Sequence, residues 1–419
     1  MKIKFFKINS IFCLFAGILT VSIFVSCKKY NSLGFTPGTG VPVISSVHTW
    51  SKTDTTTYYD TVITYNSSGN PVQTLQARSN RVIQFDSATT AGNLGSYYII
   101  YGSNLGSATT ITFNGYTAYF NRALLTDNSI VVQVPSKTPY LGSQANDSLV
   151  ITTLNGKVYY KFSILPPPPS PSGYSNFNFS AGSQITLSGV GFASVKSVTL
   201  AGVNAQTGTT SIVSQNDSVL VLQFNATAAT RGTLVFNYNV AGTSLTANGT
   251  QELVDLDNAY QIFTDSNQNG WGSWSWDNAG PSTTHVKSGT QSWNAQFSGG
   301  GYKIDGFRNG GGGATDGIAY SPGYTYLSFW VYGGTAAEKI NIEWGNAGFG
   351  NQGGNKINVY DVPPGVWTYY KIPISSLLWN TSNTVWSANS SQYLNMVAFF
   401  MYSNSVTEQL YFDDIIIIK

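Results

Sequence analysis

The chain has 419 residues, with 21 Lys and Arg against 19 Asp and Glu, and only 10% of its residues are charged. So thin a charge pattern offers no basic stripe to a phosphate backbone, which excludes nucleic acid as a partner. A length of about 400 residues predicts two to four domains. Aromatic content of 14%, 43 Gly and abundant Ser, Thr and Asn predict short strands joined by tight turns, with no amphipathic helix at 3.6-residue spacing.

Residues 1–26 read as a targeting leader. Lys2, Lys4 and Lys7 precede an apolar run from Ile11 to Val25, about the length of a signal-peptide core and short for a membrane span. The run ends in Phe24-Val25-Ser26-Cys27, which resembles a lipobox, so Cys27 is expected to be lipidated. Cysteine usage agrees. Cys13 leaves with the leader, and a single exported Cys27 could form no internal disulfide. Removing the three leader lysines leaves 18 basic against 19 acidic residues, a net charge of −1. Residues 27–40 are polar with Gly and Pro and are expected to form a tether.

Residues 41–165 read as a β-sandwich. Alternating or apolar runs appear at Tyr97-Tyr98-Ile99-Ile100-Tyr101, Ile111-Thr112-Phe113, Ile130-Val131-Val132 and Leu149-Val150-Ile151. Asn155-Gly156 predicts a hairpin turn into Val158-Tyr159-Tyr160. The Gly102-Ser103-Asn104-Leu105-Gly106 turn, the Ile111-Thr112-Phe113-Asn114-Gly115 strand, the Val134-Pro135 strand end and the Ile151–Gly156 hairpin resemble the immunoglobulin-like IPT/TIG domain. Residues 48–84 depart from its compact form and read as an inserted or lengthened first hairpin. Pro166-Pro167-Pro168-Pro169 predicts a semi-rigid polyproline spacer. The domain over 166–252 repeats the pattern more weakly, with Ile185-Thr186-Leu187-Ser188-Gly189-Val190-Gly191 echoing the first Gly-x-Asn turn, and resembles a divergent second Ig-like domain.

Residues 253–419 change character. Eight of the ten Trp lie between Trp271 and Trp379, and a ninth is Trp386. Gly270-Trp271-Gly272-Ser273-Trp274-Ser275-Trp276, Leu327-Ser328-Phe329-Trp330-Val331-Tyr332, Gly365-Val366-Trp367 and the closing Tyr411-Phe412-Asp413-Asp414-Ile415 follow one another in order. This series resembles the carbohydrate-binding jelly rolls of secreted bacterial proteins. The expected fold is therefore all-β, tandem Ig-like sandwiches followed by a jelly-roll-type sandwich.

Catalysis has little to work with. The histidines are His48 and His285, so any Ser-His-Asp site must use one of them. Neither a Gly-x-Ser-x-Gly elbow nor a His-Glu-x-x-His zinc motif is present, and no catalytic residue is assigned. Asp265, Asp277, Asp305, Asp316 and Glu343 are scattered without a motif. A glycosidase would need two of its acids within about 10 Å of each other beside the aromatics.

Binding has both ingredients it needs. Sugar CH faces stack on aromatic rings, and sugar hydroxyls bond to amides, carboxylates and guanidinium groups, without net charge. Period-2 alternation places Trp274 and Trp276 on one face of a strand and Trp330 and Tyr332 on one face of another. It leaves Glu343 outward when Ile340, Ile342 and Trp344 face the core, and Trp367 is read as core. Trp379 and Trp386 lie in Asn/Ser/Thr-rich loops, where burial explains them less readily. Tyr302, Phe307 and Arg308 flank the loop tip Gly310–Gly313. The expected glycan contacts are Trp274, Trp276, Tyr302, Phe307, Arg308, Trp330, Tyr332, Glu343, Trp379 and Trp386. Sugar-binding jelly rolls often carry a structural calcium near the chain ends, which points to Asp414. Adjacent strand residues face opposite ways, so only one of Asp413 and Asp414 would reach a given site. No cofactor is expected to be required.

Lipobox, tandem IPT/TIG-like domains, proline spacer and terminal aromatic sandwich together resemble the surface glycan-binding lipoproteins of outer-membrane glycan-uptake systems. The resemblance implies a lipid-anchored, surface-exposed outer-membrane protein. It would capture a neutral plant-type polysaccharide non-catalytically beside a TonB-dependent transporter. Lys28-Lys29-Tyr30 lacks the acidic residues common in that family's surface-export signal. The alternatives are an Ig-like adhesin or structural protein with protein partners, and a glycan-active enzyme.

Overall fold

The computed structural model describes residues 35–300, 303–311, 315–346, 357–379, 384–388, 392–401 and 404–419; Cys27 and Tyr302 lie outside them. The described residues are strands joined by turns and single 3-10 turns, and none of their helices is long and apolar enough to cross a membrane. The chain forms two compact units that divide between Pro167 and Pro168, inside the proline run.

In the first unit, Tyr97–Ser103 lies between Val43–Thr49 and Ser129–Gln133 in a three-stranded sheet. A four-stranded sheet runs in the order Gly156–Lys161, Ser148–Thr153, Ala108–Phe113, Tyr116–Ala118. Alternate residues of both sheets meet in one core that includes Val47, Ile100, Ile111, Phe113, Leu149 and Phe162. Asn114-Gly115 turns with positive φ at both residues (48° and 77°), the geometry a two-residue hairpin requires. The hairpin predicted at Asn155-Gly156 forms one residue earlier. Thr153 pairs with Gly156, so Leu154 and Asn155 make the turn and Gly156 belongs to the strand. The insertion is a ribbon of its own, Ser51–Asp54 with Arg81–Gln84 and then Tyr58–Tyr65 with Pro71–Arg78.

The second unit holds the second Ig-like domain and the C-terminal sandwich. The former centres on Phe179, Leu187, Leu200, Leu222, Leu234 and Phe236, and its last strand, Thr243–Asp255, runs three residues past the expected boundary. In the C-terminal sandwich one sheet runs Ala279–Ser282, Ser292–Phe297, Glu408–Ile418, Tyr326–Tyr332, Trp367–Pro373, with Tyr260–Phe263 paired beside it. The facing five-stranded sheet runs Trp271–Ser275, Lys303–Asn309, Met396–Met401, Glu338–Gly345, Val359–Val362.

The closing strand is apolar on both faces because it is covered on both. Ile415 and Ile417 enter the sandwich core, while Ile416 and Ile418 pack with Val254 and Leu256 at the join to the Ig-like domain. Around that join Phe177 lies against Trp330 with ring centroids 5.2 Å apart. Lys287 spans the same tryptophan at 4.0 Å and donates to the Ser175 carbonyl at 2.8 Å. Tyr369 Oη donates to Asn178 Oδ1 at 3.2 Å, and Lys371 pairs with Glu252.

Candidate glycan-binding face

Trp271, Phe307, Trp344, Val397, Phe399 and Met401 point into the sandwich core. Their alternate neighbours therefore point outward from the five-stranded sheet. Trp274 packs there on Ile304, Met396, Ala398 and Phe400, a cluster separate from the core. The strand register aligns this face in rows. Trp274 stands beside Gly306, then Ala398, then Glu343. The next row holds Gly272, Arg308, Met396 and Gly345. On the other side Trp276 donates its backbone N–H to Ile304 at 3.0 Å, followed by Phe400 and Asn341. With strands about 4.8 Å apart, Trp274 and Glu343 bracket roughly 14 Å of face. The floor between them is small-residued by necessity, since a Cβ on Gly306 would lie 2.4 Å from Ala398 Cα.

Four of the expected contacts, Trp274, Trp276, Arg308 and Glu343, thus share one face. Trp276 is 44% exposed and Trp274 half-buried. Arg308 Nε has no hydrogen-bond partner among the described residues. Glu343 is buried, and Asn341 Nδ2 donates to the Ile357 carbonyl at 2.8 Å. Ile304, Met396, Ala398 and Phe400 are themselves buried, as Asn341 is, so the groups this face offers a ligand are the exposed Trp276, the half-buried Trp274 and Arg308, two indoles and a guanidinium that can stack on a pyranose ring and bond its hydroxyls. Ile304, Met396, Ala398 and Phe400 were not singled out in the sequence. The signal was available, because Met396-Val397-Ala398-Phe399-Phe400-Met401 is apolar on both alternations and so has an apolar outer face.

Other expected contacts fall elsewhere. Phe307 is fully buried in the core because its strand parity is opposite to that of Arg308. Trp379 and Trp386 are buried too, their loops turning inward so that the indoles stack at 6.2 Å. Trp330 is covered by Phe177 and Lys287 and belongs to the join with the Ig-like domain. Tyr332 lies on the outer face of the opposite sheet, stacked on His285 at 4.1 Å and edge-on to Trp367 at 5.6 Å. Trp367 is half-buried in that surface cluster, not in the core.

Asp413 and Asp414 do not diverge as simple alternation requires. Asp414 has φ +47°, and the register shifts between Ser328 and Trp330 opposite it. This bulge turns both carboxylates toward the Lys287-Ser288 turn. Asp413 Oδ2 accepts from the Lys287 and Ser288 N–H groups at 2.9 and 3.1 Å. Asp414 accepts from Ser288 Oγ at 2.8 Å and Asn178 Nδ2 at 3.0 Å. Calcium takes about six to eight oxygen ligands. Here the carboxylate oxygens meet N–H and O–H donors, and no three His, Cys, Asp or Glu among the described residues are placed to hold a metal. The residues around Asp414 do not fit the ion. Burial, then the neighbouring Asp414 charge, pushes Asp413 up to about 8, and burial raises Asp414 as well.

Of the two histidines, His48 meets Asp86 Oδ1 at 2.6 Å and Ser46 Oγ at 3.0 Å, the bonding order of a Ser-His-Asp relay. The Asp86 side chain is 53% exposed, so water competes for it. A relay of that kind depends on a buried, fixed carboxylate. His285 is engaged in ring stacking.

Comparison with known proteins adds the following. Residues 84–164 match the model of the IPT/TIG domain. An IPT/TIG domain-containing protein of Bacteroides ovatus is 29% identical over 118 residues, 27% of this chain and 24% of that protein; the chain thus matches about a quarter of that relative's length. Among solved structures, the surface glycan-binding protein PbSGBP-B from Prevotella bryantii aligns over 91% of this chain and 99% of its own, at 16% identity and TM-score 0.45. SGBP-B from a complex xyloglucan utilization locus in Bacteroides uniformis aligns over 78% and 96%, at 17% and 0.38. The family 11 carbohydrate-binding module from Clostridium thermocellum, in complex with a mixed-linked tetrasaccharide, aligns over 38% of this chain and 94% of its own, at 19% and 0.26.

Proposed function

We propose that this protein captures a neutral polysaccharide at the cell surface without catalysing its cleavage, and that the outer face of the five-stranded sheet is where the chain binds. One observation carries the reading. Strand register brings Trp274, Trp276, Arg308 and Glu343 onto a single face over an apolar floor. These residues come from three strands, and alternation alone does not bring three strands together. In this proposal Cys27 carries the lipid that holds the protein on the outer membrane. The captured polymer is handed to a TonB-dependent transporter, and many anchored copies give avidity to a weak single site.

Affinity electrophoresis through gels containing xyloglucan, mixed-linkage glucan or mannan tests the proposal. One polymer should retard the protein. Trp274→Ala and Trp276→Ala should each cost roughly 1–3 kcal/mol of binding, by analogy with the loss of aromatic stacking on flat ligands, while the far-UV and near-UV spectra stay unchanged. Incubation with the retarding polymer should release no reducing ends. Retardation that survives both substitutions would remove the sheet face as the site.

The adhesin reading has one observation in its favour. On the inserted ribbon, Tyr59, Ile63, Tyr65 and Leu75 share one face by register and are 55–72% exposed. If no polysaccharide retards the protein, that ribbon becomes the leading functional surface.

A further inference from the structure

The strand Trp271–Ser275, which carries Trp274 and leads directly into Trp276, is an edge strand, paired among the described residues only with Lys303–Asn309. It is therefore held along one side only, and what grips it from behind fixes where the two indoles stand. Between them, Ser275 points inward. Directly opposite in register is Asp305, fully buried. Ser275 Oγ and Trp293 Nε1 (3.2 Å) both donate to Asp305 Oδ1. Asp305 Oδ2 has no hydrogen-bond partner among the described residues.

Among the described residues no cation faces this carboxyl directly. From the Trp271–Ser275 strand it meets Ser275 and, just past the strand end, Asp277. From Ser292–Phe297 it meets Trp293, and its register partner on Met396–Met401 is Phe399. Lys303, on its own strand, sits 3.9 Å from Asp277. Burial is the main cause that lifts the Asp305 carboxyl to about 7, with the Asp277 charge adding to it and the bonds from Ser275, Trp293 and the Gly306 N–H opposing it. A neutral acid suits this place. An ionised one has an uncompensated oxygen in an apolar core, and it is relieved by reaching water. The edge strand is the side on which water can be admitted with fewest backbone bonds broken.

We propose that Asp305 is a positioning residue that holds the Trp274/Trp276 strand from behind and makes glycan affinity fall as pH rises above neutrality. This rests on the sheet face being the glycan site. Binding favours the closed strand and hence the protonated acid, so above neutrality it takes up a proton.

The test uses the whole mature chain and the polysaccharide that retards it, with soluble mixed-linkage glucan as the first probe. Affinity should drop roughly tenfold between pH 6 and pH 8.5, within the ordinary range for coupled equilibria. Calorimetry at pH 8 in buffers of differing ionisation enthalpy should show proton uptake. Asp305→Asn keeps an oxygen for Ser275 and Trp293, so it should flatten the pH profile and abolish the uptake. Ser275→Ala, which leaves the acid in place, should weaken binding at every pH.

A pH profile unchanged in Asp305→Asn overturns the proposal. Should no polysaccharide bind at all, the sheet face falls as a glycan site, yet a glycan-free readout still decides whether Asp305 positions the strand. Tryptophan emission of an Asp414→Asn background, which removes the carboxylate pair beside Lys287 and Trp330, should shift with a midpoint near neutrality, and the shift should shrink in Trp276→Phe and again on adding Asp305→Asn. A shift of undiminished size on adding Asp305→Asn overturns the proposal independently.

Discussion

Replacing Trp379 by Ala removes a nearly unexposed indole from the centre of the C-terminal core, where it packs with Trp386. The expected cost is about 3–5 kcal/mol of stability, read as a lowered denaturation midpoint, with glycan affinity of the folded fraction unchanged. Trp274→Ala should show the reverse, a small stability loss and a large affinity loss. The two tryptophans separate for a physical reason. Trp274 sits on a strand, so the period-2 alternation written in Ser273-Trp274-Ser275-Trp276 gives its direction. Trp379 and Trp386 sit in polar loops with no periodicity, and nothing local encodes that the loop folds inward or that the Gln392 carbonyl accepts from Trp386 Nε1 at 3.0 Å. Phe307 shows the same rule from the other side. Its direction follows from strand parity once the strand is placed, but a glycine-rich tip beside it makes it look like a loop residue.

At the scale of the element, the closing strand Glu408–Ile418 does three jobs along its length, and its bulge divides them. Leu410, Phe412, Ile415 and Ile417 fill the core, whereas Ile416 and Ile418 face the Ig-like domain. The four consecutive isoleucines announce a strand buried on both faces, so this much was legible. The bulge was not, because a positive φ at Asp414 is a tertiary bargain. Three backbone N–H groups converge on Asp413, and the side chains of Ser288 and Asn178 on Asp414.

This carboxylate pair sets a pH dependence. Both acids are raised above their unfolded values, Asp413 to about 8. Their stabilising contribution is therefore complete below about pH 4 and is lost as pH rises through about 8. The melting temperature should fall between pH 5 and pH 8.5, and Asp414→Asn should reduce the fall. A chelator should leave the melting temperature unchanged at either pH, because backbone N–H groups on Asp413 and Ser288 Oγ and Asn178 Nδ2 on Asp414 already engage the carboxylate oxygens. A drop on adding EDTA that calcium restores would show that calcium organises the bulge.

For the whole molecule, the sequence places the proline run between two Ig-like domains and a boundary near residue 253, and it treats the last two domains as separate. The chain divides into two compact units between Pro167 and Pro168. The last two domains, by contrast, share an apolar seam of Val254, Leu256, Ile416 and Ile418, flanked by Phe177 on Trp330, Asn178 on Asp414 and Lys371 with Glu252. Composition cannot show this, because each partner is an ordinary core or surface residue of its own domain, and the pairing spans more than a hundred residues of chain.

A seam of that kind couples the unfolding of the two domains. Residues 168–419 expressed alone should melt in one calorimetric transition and keep the full chain's glycan affinity. Trp330→Ala leaves Phe177 and Lys287 without their contact and cuts the seam without touching either the Ig-like core or the candidate glycan face. The single transition should then broaden or split, the total loss being about 3 kcal/mol or more, while affinity stays near the wild-type value. Loss of affinity in Trp330→Ala with the transition still single would instead place the glycan on the opposite sheet, beside Tyr332 and Trp367.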